Sequence, residues 1–378
     1  MIGAALRRVE DRRFLLGEGR FVDDLPFPEA LHCAFVRSPH PHARILSIEL
    51  PEGVRGFTGR DLAGVAPMRA GWALPGMVEP PRFALARDSV RHVGEPVAAV
   101  FAATRELAED AADRVEVNGM RVYYEVFGEG DPLVVLHGAY MAIPSMGAII
   151  PKLAETHRVY ALEFQGHGRT NDIDRPITYQ NLADDVAAFM DAIGLERADV
   201  FGYSMGAGAG LQLAIRHPEK VRRLVAASVA YDLEGWQPVF TEFIPQMSPE
   251  MMVGTPMEAE YRKLAADPDG FRALVEKLIA LEHEPMAWEG DVRALATPVL
   301  VIAGDADVVT LEHSVALFRL LGGGVMGDMG TPLPASRLAV LPATSHTAVI
   351  GQTDLLHALI EPFLRGETPK GMFDGGGP

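Results

Sequence analysis

The stretch Gly202-Tyr203-Ser204-Met205-Gly206 carries the strongest fold signal in this chain. It follows the apolar run of residues 198–201 and precedes the small-residue segment 207–214, which predicts a helix. A serine between two glycines at a strand-to-helix turn is typical of a nucleophile elbow, whose strained turn exposes the hydroxyl. The glycines lack a Cβ, so that strand and helix can pass close together. The stretch therefore predicts Ser204 as a catalytic nucleophile.

Two acids and a base that suit this nucleophile follow later in the chain. Residues 298–303 form an apolar run that predicts a buried parallel strand, and the run leads into Asp305 and Asp307. Another predicted strand, residues 338–341, is followed by His346. A serine hydroxyl is a poor nucleophile at neutral pH, so it needs a base that takes its proton and a carboxylate that orients the base. We expect His346 to be the base, and both aspartates are candidates for the acid.

Two further motifs, Leu136-His137-Gly138-Ala139 and Gln165-Gly166-His167-Gly168-Arg169, each follow a predicted strand ahead of the elbow. Together with the order Ser, Asp, His, they resemble the α/β-hydrolases of the esterase, lipase and perhydrolase kind. The resemblance runs from about residue 117 to about residue 365. It implies an α/β fold with a mostly parallel, doubly wound sheet and a helical cap, and an activity that needs no metal or cofactor.

The same resemblance assigns roles to individual residues. Asp307 is the second acid of the Gly-Asp-x-Asp pattern, which implies that it orients the histidine, whereas Asp305 caps a turn or a helix. The backbone N–H groups of Met205 and Ala139 would form the oxyanion hole, and losing one such donor typically costs about 3 kcal/mol of transition-state stabilisation. We interpret His137 as a structural side chain that shapes its loop.

Alternating apolar and amphipathic segments predict the same architecture without reference to any family. In such a sheet the sites lie at the carboxyl ends of the strands, where Ser204, Asp307, His346 and Ala139 all fall. Two other histidines, His313 and His357, lie in predicted helices and are interpreted as surface residues. The predicted strands are residues 121–127, 133–136, 158–163, 198–201, 221–227, 299–302 and 338–341, and the predicted helices are residues 146–155, 179–193, 205–216, 312–321 and 353–364.

The nucleophile limits the chemistry. A carboxylate at the elbow would be needed to open epoxides or remove halide, so Ser204 leaves acyl transfer: hydrolysis of esters, thioesters, lactones or amides, perhydrolysis, or cleavage of a carbon–carbon bond beside a carbonyl. We expect a carboxylesterase, with carbon–carbon hydrolysis and perhydrolysis as alternatives. Residues 228–290 are rich in Met and aromatic side chains and predict a cap for a small apolar substrate. The candidate pocket residues are Tyr140, Trp236, Phe240 and Met251.

The first 117 residues resemble a different family. Residues 8–11, 17–24, 35–45 and 91–98 follow one another as in the α/β-hammerhead domain that begins the molybdenum-binding subunit of xanthine dehydrogenases and aldehyde oxidases. The later pterin-binding segments of that family do not follow, and Cys33 alone cannot hold an iron–sulfur cluster. We therefore expect no molybdenum chemistry from this chain, and we interpret its histidines (His32, His40, His42 and His92) as surface residues. The alternative function is an interaction module that docks a molybdenum-hydroxylase partner.

Composition bounds the remaining possibilities. The 378 residues suit two domains, residues 1–117 and 118–365, with a flexible tail at 366–378. A net charge of −17 argues against nucleic-acid binding. We expect no membrane span, no signal peptide and, with one cysteine, a cytoplasmic protein without a disulfide. The composition does not indicate an oligomeric state.

Overall fold

The chain divides into two units, which a computed structural model of the full chain describes in part. One unit comprises residues 1–38 and 42–112, and the other comprises residues 39–41 and 113–378. The described residues are 30–38, 43–45, 48, 50, 54–68, 81–92, 94–105, 107–108, 114–117, 119–265, 267–327 and 333–368. The expected tail from residue 369, His40, His42 and the first two hammerhead segments lie outside them.

The larger unit is built on an eight-stranded sheet. Along the chain its strands are β6 Arg114–Val117, β7 Met120–Phe127, β8 Asp131–Leu136, β9 His157–Leu162, β10 Ala198–Tyr203, β11 Val221–Ala227, β12 Val299–Ala306 and β13 Arg337–Ser345. Their order in the sheet is β13-β12-β11-β10-β8-β9-β7-β6. The six strands β8 to β13 run parallel to one another. At one edge, β7 pairs antiparallel with β9, and β6 pairs antiparallel with β7. This is the expected mostly parallel, doubly wound sheet.

Helices cover both faces of this sheet because its strands are apolar on both sides. Every residue of β10 is buried, and two apolar clusters fill the two sides. The α-helices are α1 Ile149–Leu153, α2 Tyr179–Ala192, α3 Met205–Arg216, α4 Pro238–Phe243, α5 Pro249–Met252, α6 Pro256–Leu264, α7 Phe271–Glu282, α8 Glu289–Arg293, α9 Leu311–Leu320 and α10 Thr353–Leu364. Among the described helices, none is long and apolar enough to cross a membrane.

Most element bounds agree with the predictions, and the exceptions have local causes. The helix predicted for residues 146–155 is split into a 3₁₀ turn, Ile143–Met146, and α1. Gly147 separates the two pieces with a φ of 61°, a value that ends a right-handed helix. Strands β12 and β13 are longer than predicted because they pair with each other as far as Ala306 and Ser345.

The segment between β11 and β12 is the helical cap expected for residues 228–290. It contains helices α4 to α8 and short 3₁₀ turns. Only α7 among these is strongly buried along one face, with Phe271, Leu274, Val275, Leu278 and Leu281 packed inward. Their spacing of three and four residues is that of an amphipathic helix, and this helix anchors the cap on the core.

The smaller unit contains short antiparallel strands. Strands β1 His32–Arg37, β3 Arg55–Thr58 and β5 Pro96–Ala102 form one sheet with β5 in the middle, and β2 Ala43–Arg44 pairs with β4 Ser89–Val90. The central strand β5 is the most buried, whereas Phe35 in β1 and Phe57 in β3 are exposed. His32 and His92 are exposed, and so is Cys33.

Candidate active site

Ser204 lies on a strained turn between β10 and α3. Its backbone has φ 55° and ψ −120°, a region that non-glycine residues rarely occupy. The two flanking glycines are required sterically: a Cβ on Gly202 would lie 2.3 Å from the carbonyl oxygen of Gly206. A Cβ on Gly206 would lie 2.3 Å from the carbonyl oxygen of Leu136. The sequence therefore permits the close crossing of β8, β10 and α3 that presents the serine.

His346 approaches this serine from the loop after β13. Its Nε2 lies 2.9 Å from Ser204 Oγ, and its Nδ1 lies 2.7 Å from Asp307 Oδ1. The Tyr203 hydroxyl donates to the His346 carbonyl oxygen at 2.8 Å, and the two rings lie 5.4 Å apart. With Asp307 ionised, Nδ1 carries the proton, so Nε2 is free to accept one from Ser204. The arrangement is one in which a histidine can deprotonate a serine.

Asp307 is buried beneath the histidine and surrounded by donors. Its Oδ2 accepts the Ser228 hydroxyl at 2.5 Å and the Gly304 N–H at 3.2 Å. Burial alone would raise the pKa of this carboxyl, but the contacts with His346, Ser228 and Gly304 lower it below the usual value. The carboxylate thus stays ionised, which is the state that can stabilise an imidazolium.

Asp305 has a different set of contacts. Its carboxylate accepts the backbone N–H groups of Ala343 and Thr344 at 2.8 and 2.9 Å, and these bonds lower its pKa. It does not contact the ring of His346. The residue ties the end of β12 to β13 just before the histidine, so it positions a strand end and does not cap a helix.

The two expected oxyanion donors lie beside the elbow. Met205 is the first residue of α3, where an N–H has no acceptor within the helix. Ala139 follows Gly138, and a Cβ on Gly138 would touch the ring of Tyr203 at 3.1 Å. Within the described residues, no hydrogen bond is formed by the N–H of Ala139. Both N–H groups are therefore free to bind an oxygen that develops negative charge.

Buried polar side chains hold the loops around these donors. His137 is 1% exposed, contacts the Gly138 carbonyl oxygen through Nδ1 and accepts the Phe164 N–H through Nε2. Burial lowers its pKa to about 3, so it remains neutral. Glu163 accepts N–H groups from Ile143 and Arg169, and burial raises its pKa to about 7 against the opposing charge of Arg169. These contacts agree with the structural role expected for His137.

The four candidate pocket residues do not share one environment. Tyr140 is partly buried with φ 61°, and its hydroxyl has no hydrogen-bond partner among the described residues. Trp236 and Phe240 pack with ring centroids 5.3 Å apart, and Phe240 lines a cavity of about 560 Å³ that Asp307 also borders. Met251 lies on α5 and is 48% exposed. Their contact with substrate stays a prediction.

The interpretation of His313 as a surface residue is wrong. This side chain is buried, stacks on the ring of Tyr231 at 4.1 Å and accepts the Tyr231 N–H through Nε2. Tertiary packing of α9 against the segment after β11 buries it, a contact that helical periodicity cannot reveal. His357 is partly buried on α10, with Nε2 3.9 Å from Glu361. Neither histidine contacts Ser204.

Three buried or partly buried residues were missed from the sequence. Ser228 has a φ of 59° and follows β11 directly, so its position at a strand end was a usable signal. Tyr203 occupies the variable position of the elbow motif, where residue type predicts no role. Glu282 ends α7, and the cap sequence does not distinguish it from surface acids. Within the described residues, no cluster of three or more His, Cys, Asp or Glu could hold a metal ion.

Comparison with known proteins agrees with both resemblances. Residues 131–252 match the sequence model of the alpha/beta hydrolase fold. Residues 16–120 match that of the aldehyde oxidase and xanthine dehydrogenase a/b hammerhead domain. Both predictions of family, and the predicted fold class, are thereby confirmed.

The individual relatives include both a hydrolase and a subunit of a hydroxylase. The 2-hydroxymuconate semialdehyde hydrolase of Pseudomonas sp. (strain CF600) is 31% identical over 228 residues, which cover 53% of this chain and 78% of that protein. The nicotine 6-hydroxylase large subunit of Paenarthrobacter nicotinovorans is 38% identical over 125 residues, which cover 30% of this chain but 15% of that protein. Among solved structures, the enol-lactonase from Burkholderia xenovorans LB400 matches 67% of this chain and 99% of its own, with a TM-score of 0.52 and 22% identity. This last likeness shows the fold alone.

Proposed function

The chain belongs to the α/β-hydrolase family, and from that premise we propose that it cleaves carboxylic esters through an acyl-enzyme on Ser204. The observation that carries the proposal is the pair of hydrogen bonds that joins Ser204 Oγ to His346 Nε2 and His346 Nδ1 to Asp307 Oδ1. This set of contacts suits acyl transfer because the serine hydroxyl lies within hydrogen-bond distance of a base, and the other ring nitrogen of that base is held by a carboxylate.

The proposed reaction has two halves. Ser204 Oγ attacks the carbonyl carbon while His346 Nε2 takes the hydroxyl proton, and the N–H groups of Met205 and Ala139 bind the oxyanion. His346 then gives the proton to the departing alcohol, which leaves an acyl ester on Ser204. In the second half a water loses a proton to His346 and attacks that ester, and collapse of the intermediate returns the proton to Ser204 and releases the acid.

A second candidate is hydrolysis of a carbon–carbon bond beside a carbonyl. It is favoured by the similarity to the 2-hydroxymuconate semialdehyde hydrolases of Pseudomonas. The same nucleophile, base and oxyanion donors would serve, but the leaving group would be a carbon atom that must be protonated. Perhydrolysis, the remaining alternative, would replace the attacking water by hydrogen peroxide.

A substrate comparison tests the proposal. The purified full chain is assayed with p-nitrophenyl esters of increasing acyl length, by release of p-nitrophenol, and with 2-hydroxymuconate semialdehyde, by loss of its absorbance. We expect turnover of the esters with a kcat/KM above that for the semialdehyde. Turnover of the semialdehyde alone would replace the ester proposal by the second candidate, and turnover of neither would contradict both.

A further inference from the structure

One buried side chain contacts both the loop of the base and the loop of an oxyanion donor. Tyr203 is the last residue of β10 and directly precedes Ser204. Consecutive Cα atoms lie about 3.8 Å apart, so the backbone of Tyr203 is fixed to the strained turn that presents the nucleophile. The residue is 4% exposed, so its side chain is surrounded by protein atoms and not by solvent.

The hydroxyl of Tyr203 holds the backbone of the base. It donates to the carbonyl oxygen of His346 at 2.8 Å. The same oxygen accepts the N–H of Val349 at 3.3 Å, a bond that lies within the loop of the histidine. The bond from Tyr203, in contrast, ties this carbonyl group to the strand that carries the nucleophile. Burial raises the pKa of Tyr203 above its usual value, so the hydroxyl stays protonated and remains a donor at neutral pH.

The ring of Tyr203 makes two further contacts. Its centroid lies 5.4 Å from that of the His346 ring, with an angle of 31° between the two planes. The ring also packs against Gly138, where a Cβ would lie 3.1 Å from the ring atoms Cδ1 and Cε1. Gly138 directly precedes Ala139, whose N–H is an expected oxyanion donor. Tyr203 thus reaches from the elbow to both neighbouring loops of the site.

The position of His346 decides whether the proton of Ser204 can be transferred. A general base must lie about 2.6–3.2 Å from the atom whose proton it removes, and His346 Nε2 meets that condition at 2.9 Å from Ser204 Oγ. A side chain moves with its backbone. Asp305 accepts N–H groups two and three residues before the histidine, whereas Tyr203 holds the carbonyl group of the histidine itself.

We propose that Tyr203 is a positioning residue, whose hydroxyl keeps His346 Nε2 within proton-transfer distance of Ser204 Oγ. This inference rests on the proposed ester hydrolysis at Ser204. Because Tyr203 and Ser204 are adjacent in the chain, a displacement of the elbow carries the hydroxyl with it, and the loop of the base follows. The residue acts through His346 and does not itself touch the reacting atoms. A displacement of about 1 Å in such a contact can lower a rate by about 10²-fold.

The first test removes the hydroxyl and keeps the ring. We expect Tyr203→Phe to lower kcat for a p-nitrophenyl ester by about ten- to a hundredfold, because the base is no longer held at the right distance. The base serves both halves of the reaction, so both halves slow together and KM should stay within about twofold of wild type. Steady-state kinetics of the full chain provide both constants.

The matched control is Tyr123→Phe. Tyr123 lies in β7 of the same sheet, is 5% exposed and donates its hydroxyl to Glu125 Oε1 at 3.0 Å. Each substitution therefore removes one hydroxyl hydrogen bond from a buried tyrosine, and we expect the two melting temperatures to fall by similar amounts. Tyr123→Phe should keep the wild-type kcat, because the bond that it removes is made within β7 and not to the loop of the base.

Two replacements of equal size isolate the hydrogen bond from the space that the hydroxyl fills. Tyr203→p-aminophenylalanine keeps the ring and retains an N–H donor, whereas Tyr203→p-methylphenylalanine fills the same space without a donor. We expect the amino variant to keep kcat within about threefold of wild type and the methyl variant to lose about tenfold or more. If Tyr203→Phe does not fold, this pair decides alone.

The outcomes separate the two proposals. Equal kcat values in the amino and methyl variants would overturn the positioning role, and so would an unchanged kcat in Tyr203→Phe. A loss of kcat in Tyr123→Phe as large as that in Tyr203→Phe would also overturn it, because the loss would then follow stability. Failure of the wild type to hydrolyse any of the esters would instead contradict the proposed function, and the inference would fall with it.

Discussion

The two regions of this molecule bury their sheets to very different degrees. Every residue of β10 is buried between two layers of helices, whereas none of the six residues of β1 is. A strained turn such as that at Ser204 persists only where the surrounding structure over-determines it. The hydrolase region therefore has the rigid, covered framework that a preorganised site requires, and the described strands of the N-terminal region do not provide one.

The two regions also differ in how far the pKa values of their side chains are shifted. In the hydrolase region burial lowers the pKa of His137 to about 3 and raises those of Glu163 and Glu282 to about 7. In the N-terminal region burial raises the pKa of Cys33, and contacts with Thr58 lower that of Asp61, an exposed residue. Perturbed groups concentrate where chemistry occurs, which favours the hydrolase region as the active part of the chain.

The largest expected effect comes from the nucleophile. Ser204→Ala should leave the fold intact and reduce kcat for ester hydrolysis by a factor of about 10⁶, because the acyl-enzyme cannot form. The matched control is Ser314→Ala, which removes a buried hydroxyl of α9 that donates to the Thr310 carbonyl oxygen and does not bond to Ser204, His346 or Asp307. Activity that survives in Ser204→Ala would show that the chemistry resides elsewhere in the chain.

The next largest effect separates the two aspartates. Asp307→Asn should lower kcat by about 10³- to 10⁴-fold, because an amide stabilises the wrong tautomer of His346 and cannot stabilise an imidazolium. Asp305→Asn should mainly lower the melting temperature, because it weakens the bonds to Ala343 and Thr344. Steady-state kinetics and thermal melts of both variants provide the measurement. If the two effects were exchanged, Asp305 would be the acid.

A smaller effect concerns stability. A carboxyl whose folded pKa is raised above its unfolded value contributes stability that is present at low pH and lost as the pH rises through the folded pKa. For Glu282 that loss should span pH values from about 4.5 to about 7 and amount to on the order of 3 kcal/mol. The free energy of unfolding, measured by chemical denaturation at several pH values, should therefore fall less with rising pH in Glu282→Gln than in wild type. Glu276→Gln, which removes the same charge from an exposed position of α7, should behave like wild type. If the free energy of unfolding changed with pH equally in all three proteins, Glu282 would not be a buried, unpaired carboxyl.

The smallest effect is expected from removing the N-terminal region. We propose that a chain beginning at residue 113 keeps kcat/KM within about twofold of the full chain, since every proposed site residue lies beyond that point. The boundary predicted at residues 117–119 would be slightly too late for this experiment, because β6 pairs with β7 and would be cut. A folded truncated chain without esterase activity would show that the two regions act together.

The fold and the central residues of the site were predictable because they lie at strand ends. The elbow, Asp307 and His346 each follow an apolar run, so a parallel sheet brings them to one edge without further information. The wrong interpretation of His313 and the missed Glu282 have the opposite cause. Both lie on helices whose burial depends on which distant segment packs against them, and local periodicity does not encode that choice.

Ser228 shows an intermediate case. It follows a predicted strand, but its role depends on a hydroxyl that reaches Asp307, 79 residues later in the chain. The split of the first helix at Gly147 was also readable in principle, since glycine is the residue that most easily adopts a positive φ. The sequence did not reveal which distant residue each of these local features contacts in the folded chain.

We infer that the hydrolase region holds one reactive serine and that this serine reacts without help from the N-terminal region. Treating the full chain and the chain from residue 113 with a fluorophosphonate probe, followed by peptide mass spectrometry, tests it most directly. We predict one adduct per chain, on Ser204, in both proteins, and none in Ser204→Ala. An adduct on another residue, or a truncated chain that folds but does not react, would contradict it.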